Sequence, residues 1–211
     1  MENSHLESPA AHGHAESPRL SARERLLDAA GELFYEHGVQ SVGIEKVIER
    51  AGVAKASLYS NFKGKDDLVR AYLLERQVAR QARAERVMGR YDNPRDKMLA
   101  IYEGLAEAFS EPTYKGCAFM RAAAQISPES RAREVVDSSR TWTLELFTSL
   151  AREAGCTAPE ALAGQLVLLY DGAMVSAQMD HNLAAAQTAR ALAASLIDAA
   201  RGGKAVGGVR Q

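Results

Sequence analysis

The sequence predicts an all-α protein, and three observations carry that prediction. Apolar residues recur at three- and four-residue steps from Ser21 to about Arg201. Helix punctuation recurs with them, as Gly38, Gly52, Asn93-Pro94 and Ser127-Pro128. No segment alternates apolar and polar residues between hairpin turns. With 211 residues and 46% hydrophobic content, the chain has room for one or two domains and a sizeable core. Its formal net charge is −1, so any nucleic-acid binding must come from a local patch.

Each element follows from local signals. Residues 1–20 are polar, carry Pro9, Pro18 and Gly13, lack periodicity, and are expected to form a disordered tail. His5, His12 and His14 in that tail fit no fixed ligand spacing, so no metal is expected. Leu26, Leu27, Ala30, Leu33 and Phe34 mark a first helix that Gly38 closes. Short helices follow at about 43–51 and 54–61, joined at Gly52, and a longer one runs from Lys65 toward Gly89 with Asp66 and Asp67 in its first turn. Asn93 caps and Pro94 opens a helix to about Phe109. Cys117 to Ile126 reads as a short helix, and Ser127-Pro128 is expected to open another to about Ala154. Thr157 and Glu160 have capping-box spacing ahead of a helix to about Met179. Asn182 precedes an Ala-rich helix to about Arg201, and a Gly-rich flexible tail is expected over 202–211.

Several function classes find no support. The two cysteines, Cys117 and Cys156, make neither a disulfide framework nor a zinc motif. No run of 18 apolar residues and no signal-peptide pattern occurs, so a cytoplasmic protein without a membrane span is expected. No nucleophile elbow, phosphate-cradling glycine loop or metal-ligand set appears, so neither an enzyme nor a cofactor is expected.

Function concentrates in residues 43–62. Two short helices joined through a glycine are the pattern of a helix-turn-helix. Val47, Ile48 and Ala51 form the inner stripe of the first helix, and Leu58 with Phe62 face inward from the second. Lys55, Ala56, Ser57, Tyr59, Ser60 and Asn61 are left on or near the outer face. Residues 53–65 hold Lys55, Lys63 and Lys65 and no acid, which concentrates positive charge where a phosphate backbone would pass. The plainer alternative is a small helical core with a solvated lysine cluster.

The stretch from Ala22 to Leu73, with F-Y-E-H-G over 34–38 and I-E-K-V-I-E-R-A-G-V-A-K-A-S-L-Y-S-N-F-K-G-K-D-D-L over 44–68, resembles the N-terminal domain of the TetR family of transcriptional regulators. The A-G-V-x-K-x-x-L-Y-x-x-F-x-x-K spacing is highly specific, and the resemblance from Ala22 to Leu73 covers about a quarter of the chain. K-G-C-A-F-M-R-A-A-A and L-V-L-L-Y-D-G-A further on also resemble family members. The resemblance implies a homodimeric repressor that binds a palindromic DNA operator and is released by a small-molecule effector. It places Lys55, Ala56 and Ser57 at the start of the recognition helix, and Tyr59 and Lys65 on phosphates. Gly43, Ile44 and Glu45 open the bracing helix. Three positions depart from the family pattern. Val42-Gly43 replaces a Thr or Ser near that helix start, so Ser41 is expected to cap it instead. Glu45 stands where a cation is often found, and Ser60-Asn61 replaces a histidine or aromatic pair.

The implied organisation is a helix-turn-helix domain over 20–80 and a helical effector-binding and dimerisation domain over 81–201. The second segment holds Tyr102, Phe109, Phe119, Met120, Trp142, Phe147, Tyr170, Met174 and Met179, more than a four-helix core needs. Tyr102, Phe109, Phe119, Met120, Trp142, Tyr170, Met174 and Gln178 are the candidate pocket residues, with core packing as the plainer account of each. Gln125, Thr143, Gln178 and His181 are the polar groups able to orient a ligand. The lack of a charged cluster there points to a hydrophobic or aromatic effector. Arg76, Arg80, Arg83, Arg86 and Arg90 read as a solvated helix face. Cys117, between Lys115 and Arg121, reads as a packing residue, with a redox sensor as the alternative. The last two helices are apolar on more than one face, through Leu162, Leu166, Leu169, Ala173 and Ala177, then Leu183, Leu192, Leu196 and Ala199. That pattern predicts a homodimer through them. An adaptor or ligand-binding protein of the same fold without operator binding is the other reading.

Overall fold

A computed structural model describes residues 20–202; the tails expected at the two ends fall, but for Leu20 and Gly202, outside the described residues. Nine helices and no strand occur among the described residues: α1 Ala22–His37, α2 Ile44–Ala51, α3 Lys55–Asn61, α4 Lys65–Met88, α5 Pro94–Phe109, α6 Ala118–Ala123, α7 Ala132–Glu153, α8 Pro159–Met179 and α9 Ala185–Gly202.

Local chemistry sets most of these boundaries. Ser21 and Glu24 form a capping box at α1, the Ser21 hydroxyl accepting from Glu24 N at 3.2 Å and Glu24 Oε2 accepting from Ser21 N at 2.7 Å. Ser21 and Glu24 stand at the S-x-x-E spacing of that motif. Gly38 closes α1 at φ 88°, and Gly52 ends α2 in the left-handed region at φ 61°. Asn93 Oδ1 accepts from Asp96 N at 2.9 Å with Pro94 in the first turn of α5, as its sequence predicts.

Three expectations are corrected. Ser41 does not cap α2: its hydroxyl donates back to the His37 and Gly38 carbonyls, closing α1, and α2 starts from Gly43 with no side-chain cap. Thr157 does not form a capping box with Glu160. Its hydroxyl donates to the Ala200 carbonyl on α9, while Glu160 pairs with Arg152. The helix expected from Ser127-Pro128 starts only at Ala132, because Asp66 of α4 takes Ser130 Oγ and, at 3.1 Å, Arg131 N. A carboxylate 65 residues away holds the preceding turn open.

The apolar residues gather into two cores. One is built from α1–α3 and the first half of α4, around Leu26, Val47, Leu58, Leu68 and Leu73, and it also takes Phe119, Ala122, Ala132 and Val135 from α6 and the start of α7. The other lies among α5, α7, α8 and α9, around Met98, Tyr102, Phe147, Leu166 and Ile197. Helix α4 runs through both, with Leu68, Val69, Ala71, Tyr72 and Leu73 buried in the first and Val87 buried toward α5.

Candidate nucleic-acid interface and ligand cleft

Packing decides which face of α3 is free. Leu58 is fully buried and Phe62 nearly so, which fixes the rotation of the helix. Lys55, Ala56, Tyr59 and Ser60 then stand exposed, with Ser57 and Asn61 half-buried at the edge. The turn before α3 is pinned from α1, where Arg25 Nη1 donates to the Gly52 carbonyl at 3.1 Å. Arg50 of α2 donates to Glu32 of α1 at 3.0 Å, bracing the pair from behind. Gly43, Glu45 and Lys63 are exposed and Lys65 half-buried, so none of the ten candidate DNA-contacting residues is buried.

Their hydrogen bonds separate them. Glu45 Oε1 lies 3.5 Å from Lys55 Nζ, so the acid at the start of α2 faces the cation at the start of α3. Hydrogen bonding to its own backbone N–H and to Lys55 holds the Glu45 carboxyl below its ordinary range. Asn61 Nδ2 donates to the Ser57 carbonyl at 2.7 Å and Ser60 Oγ to the same carbonyl at 3.1 Å. Both side chains are folded onto their own helix. Lys65 Nζ donates to the Gln40 carbonyl at 3.0 Å, and partial burial lowers its pKa. Tyr59 makes no such internal bond and is 51% exposed.

Of the eight candidate pocket residues, Phe119, Trp142 and Tyr170 come together around Arg80 and the other five do not. Tyr102 is fully buried and its hydroxyl donates to the Leu166 carbonyl at 2.7 Å; Phe109 packs against Tyr114 and Met174 lies in the core. Met120 and Gln178 are on the surface. Trp142 and Tyr170 do line a cleft of about 50 Å³ between α4, α5, α7 and α8, with Arg80, Arg83, Ala84, Ile101, Leu105 and Thr143. Phe119 approaches that cleft from α6, its ring centroid 5.5 Å from the Arg80 guanidinium. Of the polar groups, only Thr143 reaches the cleft, whereas Gln125 Oε1 accepts from Gln40 N at 3.1 Å. A larger groove of about 1080 Å³ lies elsewhere, between α1, α2 and α4.

The arginine stretch of α4 is a solvated face only at Arg86 and Arg90, which are exposed, whereas Arg76, Arg80 and Arg83 are half-buried. Arg76 lies 4.3 Å from the Tyr35 ring centroid, Arg83 pairs with Glu111, and Arg86 and Arg90 pair with Glu107. Arg80 turns inward, where its guanidinium sits 5.4–5.5 Å from the ring centroids of Phe119, Trp142 and Tyr170. It donates to Ser139 Oγ at 2.8 Å and to Thr143 Oγ1. Sequence reasoning missed this residue; its i, i+4 spacing from Arg76 suggested an outer face, and nothing local marked it as different. Cys117 is half-buried beside both cores, and Cys156 is buried, which pushes its thiol up. Among the described residues no group of three or more His, Cys, Asp or Glu is arranged to hold a metal, and no helix is long and apolar enough to cross a membrane.

A glycine-joined helix pair with its second helix held outward, on an otherwise all-helical chain, defines a helix-turn-helix regulator. Residues 26–72 match the family of bacterial regulatory proteins described as tetR. A TetR-family transcriptional regulator of Streptomyces coelicolor, SCO4454, has the same fold, with a TM-score of 0.81 and 30% identity over 85% of this chain and 96% of that one. The transcriptional repressor ComR of Escherichia coli is 30% identical over 54% of this chain and 55% of its own length. The transcriptional activator FasR of Mycolicibacterium smegmatis is 30% identical over 68% of this chain and 65% of its own. This chain therefore spans a little over half to two-thirds of those two relatives. It belongs to the TetR family of transcriptional regulators, which are not enzymes.

Proposed function

We propose that the protein is a cytoplasmic repressor that binds a palindromic operator as a homodimer and releases it when a small molecule occupies the cleft beside Trp142 and Tyr170. In this reading residues 20–80 carry DNA binding, and 81–201 carry effector binding and dimerisation. The observation that carries it is the single exposed face of α3, where Lys55, Ala56, Ser57 and Tyr59 meet the groove and Tyr59 with Lys63 and Lys65 meets phosphates. Lys65 exchanges its Gln40 carbonyl for a phosphate, and Gly43 and Glu45 brace the adjacent backbone. Ser60 and Asn61, bonded to Ser57, shape the helix end more than they read bases.

Dimerisation is supported by an exposed apolar stripe on α8, where Leu168 is 72% and Met179 74% exposed with Val175 between them, and by Leu192 on α9. No atom lies within 4 Å of a Cβ built at Gly164 or Gly172, which leaves that face open to close approach. A two-fold pair is also what sets two recognition helices about 34–36 Å apart in successive major grooves.

Coupling runs through α6 as well as α4. Phe119 belongs to the helix-turn-helix core yet caps the Arg80 side of the cleft. Arg121 donates to the Tyr35 carbonyl at 2.8 Å, and Gln125 holds Gln40 N. A ligand that shifts α6 thereby shifts α1 and the loop before α2. The test is a gel shift with DNA from upstream of the gene itself, with and without hydrophobic and aromatic compounds that change Trp142 fluorescence. Absence of a specific complex would leave a ligand-binding protein of the same fold.

A further inference from the structure

We propose that the cleft is a carboxylate site: its ligand is a small monocarboxylate with a short aliphatic body, anchored by Arg80. The proposal rests on the reading of that cleft as the effector site and adds the chemistry that the ligand must have.

Arg80 is a cation without an anion. Among the described residues no carboxylate lies within 4.0 Å of it; its neighbours Arg83, Arg86 and Arg90 take Glu111 and Glu107, and Asp171 of α8 is taken by Arg140. Its two hydroxyl partners, Ser139 and Thr143, are 1% and 2% exposed and neutral. A guanidinium offers five N–H donors. Arg80 Nε is buried with no hydrogen-bond partner, so donor capacity remains inside the protein. Three aromatic rings offset part of the desolvation cost of the charge and the Tyr170 hydroxyl faces it as well, but none of these groups supplies a counter-charge. The planar fork is matched by a carboxylate, which neutralises it and accepts two bonds at once.

The rest of the cleft selects the body of the ligand. Ala84, Ile101, Leu105 and the faces of Trp142 and Tyr170 are apolar, and Gly104 lets α5 pack closely on the Arg83 stem and Val87 of α4. The volume of about 50 Å³ holds about four waters, the room of an acid of about four or five heavy atoms rather than of an aromatic acid, a nucleotide or an acyl chain. The neighbouring cation, Arg83, is already paired with Glu111, so one carboxylate rather than two is called for.

The experiment uses the full chain and compares acetate and propionate with acetamide and propionamide, by titration calorimetry and by fluorescence of Trp142, the single tryptophan. The carboxylates should bind saturably and about tenfold or more tighter than the amides. Arg80→Gln should reduce the acids to the level of the amides, while Arg80→Lys keeps part of the preference. Amides binding as tightly as acids, or no saturable binding of either acid below about 10 mM, would overturn the proposal. If Arg80→Gln does not fold, the wild-type comparison of acid with amide decides by itself. Operator release is scored separately. Acids that bind through Arg80 without loosening DNA overturn the effector switch and leave the site standing, whereas neutral compounds that release DNA independently of Arg80 do the reverse.

Discussion

The hydroxyl of Tyr35, near the end of α1, donates to the carbonyl of Gly116 at 3.0 Å and accepts the Lys115 backbone N–H at 2.9 Å. One side chain of the helix-turn-helix core thus holds the segment that leads into α6, and Arg121 returns the contact by donating to the Tyr35 carbonyl. Arg76 and Arg121 also lie over the Tyr35 ring, at 4.3 and 5.8 Å from its centroid. Movement of α6 must therefore be felt at α1.

Tyr35→Phe keeps the ring and its cations and removes both hydroxyl bonds. It should lower stability by about 1–2 kcal/mol in chemical denaturation. Operator affinity of the empty protein should stay within about threefold, while the change in affinity caused by a ligand shrinks. An undiminished ligand response would place the coupling in α4 alone.

Gly38→Ala should be destabilising by about 1–3 kcal/mol, for two separable reasons. Gly38 holds φ 88°, and a Cβ there would stand 2.7 Å from Gln125 Oε1. Gln125→Ala relieves the clash but not the positive φ, and it gives up the bond to Gln40 N. Urea denaturation of the double variant should accordingly recover part of the loss and no more.

Lys65→Ala should weaken binding to cognate and scrambled DNA alike and reduce the salt slope by about one, because a phosphate contact carries no base information. Lys55→Ala should instead change sequence preference, at a cost on the order of 1–3 kcal/mol if it reads a guanine edge. Gel shifts at several salt concentrations separate the two outcomes.

Glu45→Gln removes a carboxylate from the proposed DNA-binding face, where it partly neutralises Lys55. Affinity for scrambled DNA should rise, most at low salt, where repulsion of phosphate is least screened. A loss confined to the cognate site would instead identify Glu45 as an acceptor for a cytosine amine.

Leu168→Glu combined with Leu192→Glu places charges in the exposed stripe of α8 and α9, at positions 72% and 51% exposed. The variant should fold, sediment as a monomer and lose operator binding. A dimer of unchanged affinity would move the interface to another face.

The sequence by itself determined which segments are helical and which way α3 faces, because caps, glycine turns and the inner positions Val47, Leu58 and Phe62 are set within a few residues of one another. It also carried the charge pattern around Lys55, Lys63 and Lys65, and the family motif over 44–68. Tertiary structure decided whatever depends on partners distant along the chain. The start of α7 awaited Asp66, and Gln125 bonds Gln40 rather than a ligand. Arg80 is the clearest case: its helix period matches that of its paired neighbours, and its partners Ser139 and Thr143 lie 59 and 63 residues away. Helical periodicity reports which residues share a face, but what that face meets is set only when α4, α6, α7 and α8 pack together.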